Sequence, residues 1–169
     1  KEFLEYDNPY NVSMTGIIGI KSGFEALEKC DLLLCLGTNF AWTQFYPKGA
    51  KIVQIDNDPA NIGRRTPVEL GLVGDVKDTI DALLPLVNER SDDAFLSAAL
   101  KEHDKSLERL EKEAREPSPD LIHPQFVAQT LNRLADEDAV ITSDVGTPFV
   151  WMLRYLRANG KRRFLTSLL

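Results

Sequence analysis

Three short stretches of this chain carry residue types that suit phosphate or ribose binding. Met14-Thr15-Gly16-Ile17-Ile18-Gly19 places two glycines before a helix-like segment. A Thr-Gly turn feeding a helix exposes backbone N–H groups at the positive end of the helix dipole, which suits a diphosphate. Gly16 and Gly19 supply only two glycines of the Gly-x-Gly-x-x-Gly fingerprint, so an ordinary turn is the competing reading. Gly37-Thr38-Asn39-Phe40 follows a strand-like apolar run, at the edge where α/β sheets bind ligands at a change of strand order. Asp56 ends the next run, where a carboxylate accepts hydrogen bonds from ribose hydroxyls. It also fits a plain turn, because Asp56-Asn57-Asp58-Pro59 is good turn chemistry.

Other chemistries find no constellation. Cys30 and Cys35 have no Cys or His companions at metal-ligand spacing, and are expected as reduced, buried thiols. His103 sits on a charged helical segment and His123 precedes a proline, so both read as surface or capping histidines. Gly-x-Ser-x-Gly and P-loop patterns are absent.

The elements that must position these residues alternate. Lys21–Cys30 suits a short helix. Leu32–Leu36 is continuously apolar, as in a parallel strand buried on both faces. Lys51–Asp56 and Leu70–Val73 read as further strands. Val76–Val87 repeats its apolar residues at helical spacing until Pro85 ends it. Asp92–Glu116 reads as one long charged helix, and Arg115-Glu116-Pro117-Ser118-Pro119-Asp120 is the clearest linker. Beyond it come a helix over Gln125–Ala135, a strand over Ala139–Thr142, a helix over Phe149–Ala158 and a strand beginning at Arg162. The expected fold is α/β, a Rossmann-like parallel sheet flanked by helices, followed by an incomplete α/β segment. The expected domains are 1–116, a linker at 117–122, and 123–169.

Composition narrows the function classes. The 169 residues are 43% hydrophobic and 27% charged, which argues against disorder. A formal net charge of −6 gives no electrostatic reason to expect nucleic acid. No apolar run reaches the roughly 18 residues of a membrane span, and no export signal is visible, so a cytoplasmic location is expected. The chain starts at Lys1 and ends at Leu168-Leu169 after an apolar stretch, so it is expected to be a piece of a longer protein.

The order of these motifs resembles the thiamine-diphosphate-dependent pyruvate oxidase family, including its quinone-reducing pyruvate dehydrogenases. The resemblance runs through Tyr6-Asp7-Asn8-Pro9-Tyr10, Met14–Gly19, Leu36–Phe40, Phe45-Tyr46-Pro47, Ile52–Asp56, Leu72–Asp75, His123-Pro124-Gln125, Ser143–Pro148 and Asn159–Arg163. It implies that residues to about 116 form most of a central domain, which in flavin-containing members binds extended FAD. On that likeness Met14, Thr15, Gly16 and Ile17, with Gly37, Thr38, Asn39, Phe40 and Ala41, would flank the ribityl and diphosphate part. Ile55, Asp56, Asp75 and Val76 would hold the adenosine end. Residues from about 121 look like the start of a thiamine-diphosphate domain, with Gly146 and Thr147 near that cofactor.

The same resemblance implies oxidative decarboxylation of pyruvate, with FAD taking the electrons, in a homo-oligomeric parent. The quinone-reducing members associate peripherally with the membrane through a region outside this sequence. Acetolactate-synthase-type carboligases share the middle-domain plan and give the alternative enzyme reading; a catalytically silent interaction module is a third. The family's Gly-Asp-Gly motif, which holds Mg2+ and the diphosphate, does not occur here. Neither does its activating glutamate domain, and Leu165–Leu169 departs from the family's continuation. The piece alone is therefore expected to be inactive, with no catalytic residue and no metal site of its own.

Overall fold

A computed structural model describes residues 4–115 and 120–166. The elements follow the expected order: α1 (Lys21–Lys29), β1 (Leu32–Leu36), β2 (Lys51–Asp56), β3 (Leu70–Val73), α2 (Val76–Leu83), α3 (Ala94–Arg115), α4 (Pro124–Leu134), β4 (Val140–Ser143), α5 (Thr147–Tyr155) and β5 (Arg163–Thr166). Pro85 falls in a 3-10 turn, Leu84–Leu86, directly after α2. Its missing N–H and fixed φ end the α-helical pattern there. Of the expected linker, residues 116–119 lie outside the described residues.

The chain groups into two compact units, one of residues 24–95 and one of residues 1–23 with 96–169. Most of α3 therefore belongs with the elements that follow it, although the linker suggested that it closes the first domain.

In the 24–95 unit, β1, β2 and β3 form a parallel sheet in sequential order, with Leu34 opposite Val53 and Val53 opposite Leu70. Among the described strands the order does not reverse. β2, flanked on both sides, is the buried strand: Ile52, Gln54, Ile55 and Asp56 are all buried. β1 departs from its expected two-sided burial. Cys35 is buried, but Leu32, Leu34 and Leu36, which share the opposite face by the strand's period of two, are exposed. Continuous apolarity recorded what the strand is able to bury, and only one of its faces is covered among the described residues.

In the other unit β4 and β5 pair in parallel, with Ile141 opposite Phe164. Ile20, Leu110, Ala114, Ala128, Met152, Leu153, Tyr155 and Leu156 form its buried core. That set draws on α1's approach, α3, α4 and α5, so the long helix docks through Leu110 and Ala114 while its charged face remains in solvent.

Candidate functional site

The carboxyl ends of the three parallel strands open into a crevice of about 340 Å³, lined by Gly37, Asn39, Asp56, Asn57, Asn61, Gly74, Asp75 and Val76. All of these belong to the 24–95 unit. The sheet builds the crevice directly. The Gly37 N–H donates to the Ile55 carbonyl at 2.8 Å, and the Gly74 N–H donates to the Asp56 carbonyl at 3.0 Å, so each strand exit is tied to β2. Gly37 has φ +57°, a left-handed conformation that glycine adopts without strain. A Cβ there would lie 3.4 Å from Val76 Cγ2, so the missing side chain also keeps the crevice mouth open.

Asp56 is only 4% exposed. Its Oδ1 accepts the Asp58 N–H at 2.9 Å and Asn61 Nδ2 at 3.2 Å. Its Oδ2 has no hydrogen-bond partner among the described residues. The turn reading and the ligand reading of Asp56 are therefore both accommodated, one on each oxygen. A carboxylate oxygen with an open valence at a crevice wall is an acceptor for a hydroxyl pair such as a ribose diol.

Asp75 is the N-cap of α2, with Oδ1 accepting from the Lys77 and Asp78 N–H groups at 2.8 and 3.1 Å. The next residue, Val76, opens the helix at the crevice wall. Among the described residues no lysine or arginine lines this crevice. With two carboxylates on its walls, it matches the neutral hydroxyls of a nucleoside end and not a bare phosphate.

The loop between β1 and β2 is held by an aromatic cluster. Phe40 packs edge-on against Trp42 and Tyr46, with ring centroids 5.6 and 5.5 Å apart. The Tyr46 hydroxyl donates to the Phe40 carbonyl at 3.0 Å. Phe40, at the end of the Gly37–Phe40 segment, is thereby a packing residue, and Ala41 beside it is exposed.

Gln54 is the residue that the motif reading did not single out. Buried at mid-strand, it accepts the Gly63 N–H at 2.9 Å and donates to the Asn61 and Thr38 carbonyls at 3.0 and 3.4 Å. One amide thus joins the two loops that frame the crevice. A glutamine inside an otherwise apolar, β-branched run was the available signal, because a buried amide must find partners. Arg65 adds a second tie, with Nε donating to Asn39 Oδ1 at 2.9 Å.

The remaining candidates lie in the other unit. Met14–Ile17 forms a turn closed by the Gly19 N–H to Gly16 carbonyl bond at 3.1 Å and by the Ile20 N–H to Met14 carbonyl bond at 3.1 Å. A Cβ on Gly19 would stand 2.5 Å from the Met14 carbonyl oxygen, and one on Gly23 only 2.2 Å from it. Both glycines therefore have a packing reason, which periodicity alone did not reveal for Gly23. Gly146, at φ +100°, is the N-cap of α5, and it and Thr147 are exposed. Both cysteines are free; burial pushes the thiols of Cys30 and Cys35 up, so neither is an activated nucleophile. Among the described residues no His, Cys, Asp and Glu cluster could hold a metal ion, and no helix is long and apolar enough to cross a membrane.

Comparison with known proteins agrees with this architecture. Residues 1–83 match the thiamine pyrophosphate enzyme central domain. An uncharacterized 42.6 kDa protein of Pseudomonas amyloderamosa is 52% identical over 122 residues, 70% of this chain and 31% of that protein. The putative thiamine pyrophosphate-containing protein YdaP of Bacillus subtilis is 37% identical over 160 residues, 95% of this chain and 28% of its own length. The acetolactate synthase isozyme 1 large subunit of Escherichia coli is 29% identical over 168 residues, again 95% of this chain and 28% of that subunit. The chain spans less than a third of the length of each of these relatives. The part of this chain that matches the thiamine pyrophosphate enzyme central domain, residues 1–83, is the part that holds the parallel sheet and its crevice.

Proposed function

We propose that this chain is a segment of a thiamine-diphosphate-dependent enzyme that acts on a 2-oxo acid, of the acetolactate synthase type, and that its 24–95 unit binds the nucleoside end of a cofactor. The observation that carries the enzyme class is the alignment of 95% of the chain, across both compact units, with an acetolactate synthase subunit. When bound, thiamine diphosphate supplies carbanion stabilisation; the protein contributes binding, orientation and electrostatics. In this chain, Asp56 Oδ2 would accept from the ribose hydroxyls, while Gln54 and Arg65 keep the flanking loops in place. FAD is the dinucleotide that the crevice would take by its adenosine end. The reaction's own proton transfers and metal ligation are assigned to no residue of this chain.

A second reading, oxidative decarboxylation of pyruvate with electrons passed to bound FAD, is favoured by the motif order Met14–Gly19, Gly37–Phe40 and Ile52–Asp56. It places the same demand on the crevice. Assays on the full-length protein with pyruvate, thiamine diphosphate and Mg2+ separate the two. Acetolactate as the product supports the carboligase, whereas reduction of quinone or oxygen without acetolactate overturns it in favour of the oxidase. Flavin absorbance retained after gel filtration tests the FAD assignment separately.

A further inference from the structure

His103 does not lie on the solvent face that its charged helix suggests. It is 8% exposed, and its Nδ1 stands 3.3 Å from Ser22 Oγ, which is itself 1% exposed at the start of α1. The Ser22 hydroxyl donates to the Val12 carbonyl at 2.9 Å. A hydroxyl has one proton to give, so the proton in the Ser22–His103 contact belongs to imidazole Nδ1 and Ser22 Oγ accepts it. The chain of donors runs from α3 through α1 into the irregular segment that precedes Met14. Directly beyond it, the Met14 carbonyl is seated by the Ile20 N–H and by the bare Cα positions of Gly19 and Gly23.

We propose that His103 is a positioning residue whose Nδ1–H fixes Ser22 and thereby latches the Met14–Ile17 turn in its ligand-ready place. The part of this inference that concerns a ligand rests on the reading of Met14–Ile17 as a cofactor loop; the latch itself does not. Fixing Ser22 in one rotamer matters because its hydroxyl is the side-chain tie on Val12, and the chain has only Ser13 between Val12 and Met14. Ser13 has φ +72°, a left-handed conformation rare for a residue with a side chain, so the turn needs outside bonds to hold it.

The latch is proton-sensitive. Burial lowers the His103 pKa, and Asp104 on the same helix opposes that shift. Across the α1 boundary Lys21 is committed to Glu102 at 2.8 Å. His103 also lies on the wall of a cavity of about 580 Å³ that Asp7, Glu111, Arg154 and Arg157 share. Arg154 is engaged with the Ile18 and Gly19 carbonyls, and Arg157 faces Glu111 at 3.6 Å. Tyr155, pushed up to about 12 by burial and then by Glu113, stays protonated through the working range. Protonation therefore adds a charge at Nε2 of a buried ring that has no ion pair with a carboxylate among the described residues.

Hydrogen–deuterium exchange on the intact polypeptide reads the latch through the Gly19 and Ile20 amides, with the Ile55 amide of β2 as internal reference. His103→Leu removes the donor and is expected to speed exchange at Gly19 and Ile20 by about tenfold or more, the equivalent of one lost hydrogen bond. His103→Asn, whose amide can donate from near the Nδ1 position without titrating, is expected to restore protection. Lowering the pH from about 8 to about 5.5, corrected for intrinsic exchange, should loosen the two amides in the wild type and not in His103→Asn. Equal loosening in the Leu and Asn variants, or no loosening in Leu, overturns the proposal. If His103→Leu fails to fold, Ser22→Ala supplies the same test from the other partner, and unmoved Gly19 and Ile20 amides there overturn it equally. Titration with FAD separates the two layers. Lost amide protection with unchanged FAD affinity upholds the latch and overturns the cofactor-loop reading.

Discussion

Arg162 and Asn132 are joined twice: the guanidinium Nη1 donates to Asn132 Oδ1 at 2.9 Å, and Nη2 donates to the Asn132 carbonyl at 3.0 Å. The same guanidinium reaches the Ala135 carbonyl at 2.6 Å and the Asp136 carbonyl at 3.0 Å. The last carbonyls of a helix have no partners within it and carry the negative end of its dipole. Arg162, just before β5, takes up the Asn132 carbonyl of the last turn of α4 and the carbonyl of its C-cap, Ala135, and so fixes helix to sheet. The planar fork is what makes four acceptors reachable, so Lys is no substitute. Arg162→Lys is expected to lower stability by about 1–3 kcal/mol, measured by urea unfolding, with the flavin or nucleotide affinity of the crevice unchanged.

At the crevice, Asp56 divides its two oxygens between a turn and open space. Asp56→Asn keeps an acceptor for the Asp58 N–H and removes the charge. It is expected to weaken binding of adenosine-containing ligands by about tenfold or more, since hydrogen bonds to charged groups are worth roughly 1.5–3 kcal/mol. Asp56→Ala should lose both binding and some stability, because the turn loses its acceptor. Calorimetric titration with FAD, beside a thermal melt of each variant, distinguishes these. Unchanged affinity in both would leave Asp56 as a turn residue alone.

Gln54→Leu keeps the size and apolar character of mid-β2 but strands the Gly63 N–H and weakens both loop ties. An unsatisfied buried polar group costs about 1–3 kcal/mol. The expected result is a loss of that order in chemical denaturation, with faster amide exchange at Gly63. A variant as stable as the wild type would show that the loops hold themselves.

Gly23→Ala sets two effects against each other. Within a helix Ala is favoured over Gly by about 1 kcal/mol. The new Cβ, however, would stand 2.2 Å from the Met14 carbonyl oxygen, backbone that cannot rotate away. Overlap of that size outweighs the propensity gain, so the variant is expected to be less stable and to displace Met14. A higher melting temperature would contradict the packing of the turn on α1.

Acid should weaken the 1–23 and 96–169 unit through His103. The group's folded pKa is lowered, so the unfolded chain binds the proton first. Its contribution is fully present above the unfolded imidazole value of about 6.5 and is lost as pH falls below it. Denaturant midpoints between about pH 8 and about pH 5 should therefore decline more in the wild type than in His103→Asn.

Much of the architecture follows from local chemistry that sequence carries. Leu32–Leu36, Lys51–Asp56 and Leu70–Val73 are strands at the positions their apolar runs indicate, and Pro85 stops α2 through its own ring. Gly37 and Asp56, each at the end of a strand, likewise mark the crevice wall, because backbone conformation and turn chemistry are properties of a few adjacent residues. What tertiary structure alone decided depends on partners far apart in the chain. Ser22 meets His103, Asn39 meets Arg65, and Asn132 meets Arg162, all across separations that no local period encodes. The open face of β1 and the burial of His103 share that reason. A residue's type states which environments it tolerates, and only the packing of other elements determines which one it receives.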